Sequence, residues 1–280
     1  MQAARIGAAF REACLVELAA LKPGNVHRYA DGHGMTVADF EASAAAAAEA
    51  FALPGLSVGA RILCAIERTQ AAVGCNTNLG IALLCAPLAE AAAVEGDDLR
   101  RNLETVLRQL DLADAKDAFE AIRLAAPAGL STSERHDVHE PARVDLRTAM
   151  AAAAERDLIA RQYESGFADV FDCGLAGLQA RRNLCWSEPW AAAGVYLDLL
   201  ARFPDTHVVR KFGLDTAEAV RQRALPLAEA LRRASEPESM TTELLAFDAD
   251  LKGEGINPGT SADLTVASLF ARRLQDEMAT

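Results

Sequence analysis

The sequence predicts an all-α protein: a single Ala-rich multi-helix domain over residues 1–280, with its functional residues on the interhelical loops. Three observations carry that prediction. Long Ala-rich segments repeat apolar residues at three- and four-residue spacing, the period of a helix with one buried face. Val and Ile are scattered and nowhere alternate over a useful length, so no strand is expected. Acid, amide and basic side chains gather in short loops punctuated by Gly and Pro, which are helix stop signals.

Residues 2–21 carry Ile6, Phe10, Cys14, Leu18 and Leu21 on one helical face, and Pro23-Gly24 stops the helix. A polar loop with Gly32 and Gly34 follows. Thr36 is the expected N-cap of a helix through Ala44–Ala48, and Ser57 that of a helix over about 57–73. Asn76 or Thr77 opens a helix over 78–93, Asp97 one reaching Leu110, and Asp114 one ending near Ala126-Pro127. Residues 127–143 are a long polar loop, a segment that is either a solvated flap or a lid over a site. Helices over 145–163, 168–180, 187–202, 205–212, 215–233, 238–251 and 260–277 complete the reading.

Bulk composition excludes several partners. The chain has 280 residues, 51% hydrophobic but only 5% aromatic, so Ala supplies much of a core of closely spaced helices. Net charge is −12 and the isoelectric point about 4.9. No basic run exceeds two residues, which argues against nucleic acid and acidic membranes. The charge does not forbid a phosphate ligand, because salt screens distant charge beyond roughly 8–10 Å. Six cysteines without CxxC spacing read as reduced and mostly buried, without zinc. Neither a signal peptide nor a membrane span is expected, so a cytoplasmic protein is, and self-association is left open.

Four loops carry the candidate chemistry. Lys22-Pro23-Gly24-Asn25-Val26-His27-Arg28 offers Lys22 and Arg28 to phosphate, with Asn25 and His27 as polar contacts. Its ordinary alternative is a Pro-Gly helix stop with basic residues answering the helix dipole. Glu17, upstream on the preceding helix, is a metal ligand or a surface acid, and with Asp205 and Asp263 one of three candidates for a catalytic base. Asn76, Thr77, Asn78 and Gly80 stand at a helix start, where free N–H groups bind anions or are simply capped. Asp205 opens a short helix with Arg210 on the same side, an arrangement for an Asp–Mg²⁺ contact beside an Arg–phosphate contact, or for an ordinary cap. Asn257, Gly259, Ser261 and Asp263 form a second helix-start nest, with Asp263 either a ligand or a first-turn acid facing the dipole.

The motifs KPGNVHR with Gly32-His33-Gly34-Met35, GCNTNLG, DTHVVRKFG and NPGTSADL stand in an order and spacing that resembles the triphosphoribosyl-dephospho-CoA synthase family over about 17–270. The resemblance implies an all-α fold. It also implies a transferase in which a ribose hydroxyl of 3′-dephospho-CoA attacks the anomeric carbon of ATP and adenine leaves. ATP is then a substrate, and Mg²⁺ accompanies its triphosphate. Where the family typically reads NTHKG, this chain has Asn76-Thr77-Asn78-Leu79-Gly80, and its RGEA-type segment is replaced by residues 156–167, which marks a divergent branch. The expected catalytic residues are Asp205, Asp263 and Glu17. Metal ligands are expected at Asp205 and Asp263, and phosphate or substrate contacts at the four loops. Two rivals stand beside this reading. One is another transferase of pterin- or furan-type one-carbon cofactor synthesis, acting on a phosphate- or pyrophosphate-activated substrate. The other is a non-enzymatic nucleotide-binding module.

Overall fold

The structure, a computed structural model, describes residues 2–127 and 135–279. Among these residues there is no β-strand, only two isolated bridges, His27 with Ala30 and Gly32 with Met35. Fourteen α-helices follow in order: α1 (Ala3–Ala19), α2 (Val37–Phe51), α3 (Val58–Val73), α4 (Leu79–Ala93), α5 (Leu99–Gln109), α6 (Leu112–Ala125), α7 (Leu146–Ala151), α8 (Leu158–Ser165), α9 (Ala176–Asn183), α10 (Glu188–Arg202), α11 (Thr206–Phe212), α12 (Leu214–Arg233), α13 (Thr241–Gly253) and α14 (Gly259–Met278). A π-helical turn over Asp169–Leu175 precedes α9, and a 3₁₀ turn over Pro237–Met240 precedes α13.

Two helices run through the middle: α4, which is apolar on every side up to Glu90, and α14, whose first half is buried while its last turns carry Arg272, Arg273, Asp276 and Glu277. On α4, Leu79 through Ala89 are all buried, and on α14 Leu264 through Ala271 are. A helix apolar all round belongs inside a protein. The other helices pack around this pair by their apolar stripes. Phe10 on α1 stacks on Phe51 on α2 at 3.9 Å, and both meet the edge of Phe270 on α14 at about 6 Å. These three rings supply much of the bulk that the small Ala side chains lack.

The helix starts are read correctly to within a few residues, with informative departures. Thr36 caps α2 in a reciprocal capping box with Asp39. Asp98, not Asp97, caps α5, and Asp111, not Asp114, caps α6, with Asp114 returning the second bond of a capping box. The segment expected as one helix over 145–163 is two, α7 and α8. Asp157 restarts the chain by accepting the Ile159 and Ala160 N–H groups on Oδ1, at 2.8 and 3.1 Å. A run of Ala is equally content in one helix or two, so only the cap decides. All six cysteines are free; Cys14 and Cys85 are buried, but Cys185 is exposed. No helix of the described residues is long and apolar enough to cross a membrane.

Candidate functional site

The N-termini of α4, α8 and α14 meet at one cavity of about 780 Å³, within the size range of small-molecule sites. Its polar lining includes Glu17, Asn25, Asn76, Thr77, Asn78, Asp157, His207, Arg210, Lys211, Asn257 and Asp263. Met35, Phe40, Leu83, Phe119, Ile122 and Met150 give it an apolar wall. Loops as far apart in sequence as Asn25 and Asn257, 232 residues, thus converge, because α4 and α14 lie side by side with their starts at the same end.

Helix starts leave N–H groups without intrahelical partners. In α4 and α14 the N-cap residues, Asn78 and Pro258, make no side-chain capping bond. Asn76 Oδ1 takes one N–H, that of Leu79, at 3.1 Å. Two polar atoms here are buried without a partner, Thr77 Oγ1 and Asn78 Oδ1, while Asn78 Nδ2 donates to Thr69 Oγ1 at 2.9 Å. Buried polar atoms are nearly always satisfied in folded proteins. Orphans at a cavity-facing helix start mark a place where a polar ligand completes the bonding.

Asp263 is the fifth residue of α14, just past the first turn in which the sequence places it; its carboxyl makes no hydrogen bond among the described residues and borders the cavity. Burial, reinforced by the neighbouring Glu17 and Asp205 carboxylates, raises its carboxyl well above the usual range, which favours the protonated form. The carboxyl rests on the backbone of Gly80. A Cβ at position 80 would stand 2.0 Å from Asp263 Oδ2 and 2.8 Å from Ile159 Cδ1. Gly80→Ala therefore displaces Asp263. We expect a loss of about 1–3 kcal/mol by overpacking, read by denaturant unfolding, together with a fall in turnover; unchanged stability and turnover would contradict this contact.

Asp205 was expected in the chemistry, and the structure sets it behind the cavity wall. It is fully buried and both oxygens are taken. Oδ1 accepts the His207 and Val208 N–H groups at 2.9 and 3.2 Å, capping α11. Oδ2 accepts the Ser261 N–H and hydroxyl at 2.7 and 2.8 Å, capping α14 from another loop. With four donors on two oxygens it has no room for a metal ion. Ser261 likewise faces Asp205 rather than the cavity. Thr206 and Thr260 extend the same joint, their hydroxyls 3.1 Å apart.

The KPGNVHR loop divides in the same way. Lys22 is buried and donates to Glu17 and to Asn25 Oδ1, the latter at 2.9 Å, so it meets a carboxylate instead of a phosphate. Burial raises the Glu17 carboxyl, and Lys22 partly offsets that. Asn25 reaches the cavity and donates to Asn257 Oδ1 at 2.8 Å, tying the first loop to the last. His27 is buried against Asp248, its Nε2 3.2 Å from Oδ1, and Arg28 is exposed beside Tyr29. Asp248 also accepts the Gly24 N–H at 2.8 Å and Lys252 Nζ at 3.0 Å, so it holds the loop in place.

Two contributors were not singled out from the sequence. Asp157 pairs with Arg210 at 2.6 Å and thereby fixes the cation that borders the cavity. Its signal was present, an Asp ahead of Leu158-Ile159-Ala160 in N-cap position, but it was hidden inside a helix assumed to be continuous. Lys211 was read only as a neighbour of Arg210, and it borders the cavity too. Of the 127–143 loop, 128–134, including Glu134, lie outside the described residues; His136, Asp137 and Val138 border the cavity. Among the described residues no three His, Cys, Asp or Glu side chains are grouped to hold a metal ion.

Comparison with known proteins gives the family and the fold. The sequence matches the CitG family, described as ATP:dephospho-CoA triphosphoribosyl transferase, over residues 3–280. The fold is similar to a crystal structure from Archaeoglobus fulgidus named as a candidate triphosphoribosyl-dephospho-CoA synthase, at 30% identity and a TM-score of 0.62, covering 82% of this chain and 96% of that one. No curated protein matches the sequence.

Proposed function

The chain belongs to the ATP:dephospho-CoA triphosphoribosyl transferase family, and we propose from that premise that it moves the triphosphoribosyl group of ATP to a hydroxyl of a nucleotide-type acceptor such as dephospho-CoA, releasing adenine. One observation carries the reading: the starts of α4 and α14, neither capped by its own N-cap side chain, converge on a single cavity around an unbonded carboxyl whose protonated form burial favours. The two helix dipoles and their free N–H groups suit a polyphosphate that must be held and not cleaved. Arg210 and Lys211 add positive charge at the same rim.

In the reaction the bond from the anomeric carbon to the base breaks and a bond from that carbon to the acceptor oxygen forms. Positive charge develops on the sugar, and the departing base needs a proton. Asp263 supports both. Holding a proton in a buried position, it is matched to donate to adenine, and the carboxylate left behind then stabilises the sugar cation. Mg²⁺ bound with the triphosphate would neutralise phosphate charge. The residues fit a metal carried in by its substrate, since such an ion needs only one or two protein carboxylates. Glu17 would hold it, because one of its oxygens is taken by Lys22 and the other has no hydrogen bond among the described residues.

The test is direct. The purified protein with ATP, Mg²⁺ and dephospho-CoA is expected to release adenine in equal amount to a product that retains three phosphates, both resolved by chromatography. No adenine with dephospho-CoA or any other CoA precursor or nucleotide acceptor would overturn the reading.

A further inference from the structure

The chain has five histidines, and the fold uses them in different ways. His27 is locked through its ring, with Nδ1 accepting the Tyr29 N–H at 3.3 Å and Nε2 facing Asp248. His33 is also locked through its ring, with Nε2 donating to the Gly24 carbonyl at 2.8 Å. His136 and His139 stand on the turn after residue 134, away from any helix. His207 is held the opposite way round. Its backbone N–H donates to Asp205 Oδ1 at 2.9 Å and to Thr260 Oγ1 at 3.1 Å. Its ring nitrogens make no hydrogen bond among the described residues, and the ring borders the cavity. Gly259 is the backing that makes this possible, since a Cβ there would stand 2.5 Å from His207 Nδ1.

We propose that His207 is the general base that takes the proton of the acceptor hydroxyl. The proposal rests on the transfer reading above and names a residue of that same site. The carboxylates that compete for the role are otherwise engaged. Asp205 has four donors on its two oxygens. Glu17 is bonded to Lys22 through one oxygen, and its other oxygen is the one assigned above to Mg²⁺. Asp263 is assigned above to the leaving base, and burial favours its protonated form. Burial lowers the proton affinity of His207, as do Arg210 and Lys211 on its own helix and His33 from the first loop, while Asp205 acts the other way. The ring is therefore neutral at neutral pH, the form that accepts a proton. In the balanced step the hydroxyl O–H breaks and its proton passes to an unbonded ring nitrogen. The oxygen bonds the anomeric carbon, the bond to adenine breaks, and adenine takes the Asp263 proton. The His207 proton then returns through solvent to Asp263, closing the cycle.

The experiment compares wild type and His207→Gln, a change that leaves the backbone bonds to Asp205 and Thr260 in place. Adenine release is followed across pH with saturating ATP and dephospho-CoA, and ATP binding is measured separately by calorimetry without acceptor. We expect kcat to fall about 100- to 1,000-fold, within the usual worth of a general base. The wild-type loss of rate toward acid pH should vanish in the variant, and ATP affinity should stay within about twofold. A variant that keeps kcat within about threefold, or that keeps the wild-type acid limb, overturns the proposal. A wild-type protein that releases no adenine overturns the transfer reading and the base with it. If the variant does not fold, carbethoxylation of the wild type gives a second readout: His207 should react, inactivate the enzyme and be protected by ATP. Inactivation without modification at His207 overturns the assignment.

Discussion

Asp263→Asn is expected to lower kcat for adenine release by about 1,000-fold or more while the protein remains folded. Asn matches the protonated carboxyl in shape, so the contact with Gly80 survives, but it cannot give up a proton or become an anion beside the sugar cation. Losing such a group removes both acid catalysis and charge stabilisation, each worth about 100-fold or more. The same substitution has a signature without turnover. The folded protein holds the Asp263 proton more tightly than the unfolded chain does. Stability of the free protein therefore falls as pH rises from the ordinary carboxylate range through the raised folded value. Urea unfolding at a series of pH values should show that slope in wild type and a flatter one in the variant. An active Asn variant, or identical slopes, would remove Asp263 from its assigned role.

Asp205→Ala is expected to be the most damaging single substitution for stability. It leaves the starts of α11 and α14 uncapped at once and strips a partner from Ser261 N–H, Ser261 Oγ and Val208 N–H in a fully buried place. Cap loss costs about 1 kcal/mol per helix and each unsatisfied buried donor about 1–3 kcal/mol, partly relieved by local movement. A net loss of about 3–5 kcal/mol follows, a drop of roughly 10 °C in Tm for a chain of this size. Thermal unfolding followed by circular dichroism measures it. A shift of only a degree or two would show that the two helix starts are held by something else. Activity should fall as well, because His207 and Gly259 stand on those two starts.

The helices were legible because their cause is local. The three- and four-residue spacing of Ile6, Phe10, Cys14, Leu18 and Leu21 and the caps at Thr36 and Ser57 need no knowledge of neighbours. The break between α7 and α8 was missed because Ala-rich sequence carries no signal of continuity, and Asp157 was seen as one more helical residue. The site was legible as a set of loops: Asn25, Asn76, Thr77, Asn78, Gly80, Arg210, Asn257, Gly259 and Asp263 all line one cavity. Within those loops the division of labour was not legible. Lys22, His27, Asp205 and Ser261 have the residue types of ligand contacts, yet they spend their polar groups on Glu17, Asp248 and each other.

The sequence by itself determined that this chain is helical, where most helices begin, which loops carry polar chemistry and which family it belongs to. Each of those depends on short-range spacing or on motifs in order. Only the tertiary structure decided which carboxylate is free. Asp205 and Asp263 are both acids at helix starts, and nothing local separates them. One is surrounded by four donors brought from two loops, and the other is left with only a glycine backbone and an open cavity beside it. A carboxylate's role follows from its partners and its desolvation, and both are properties of what folds against it.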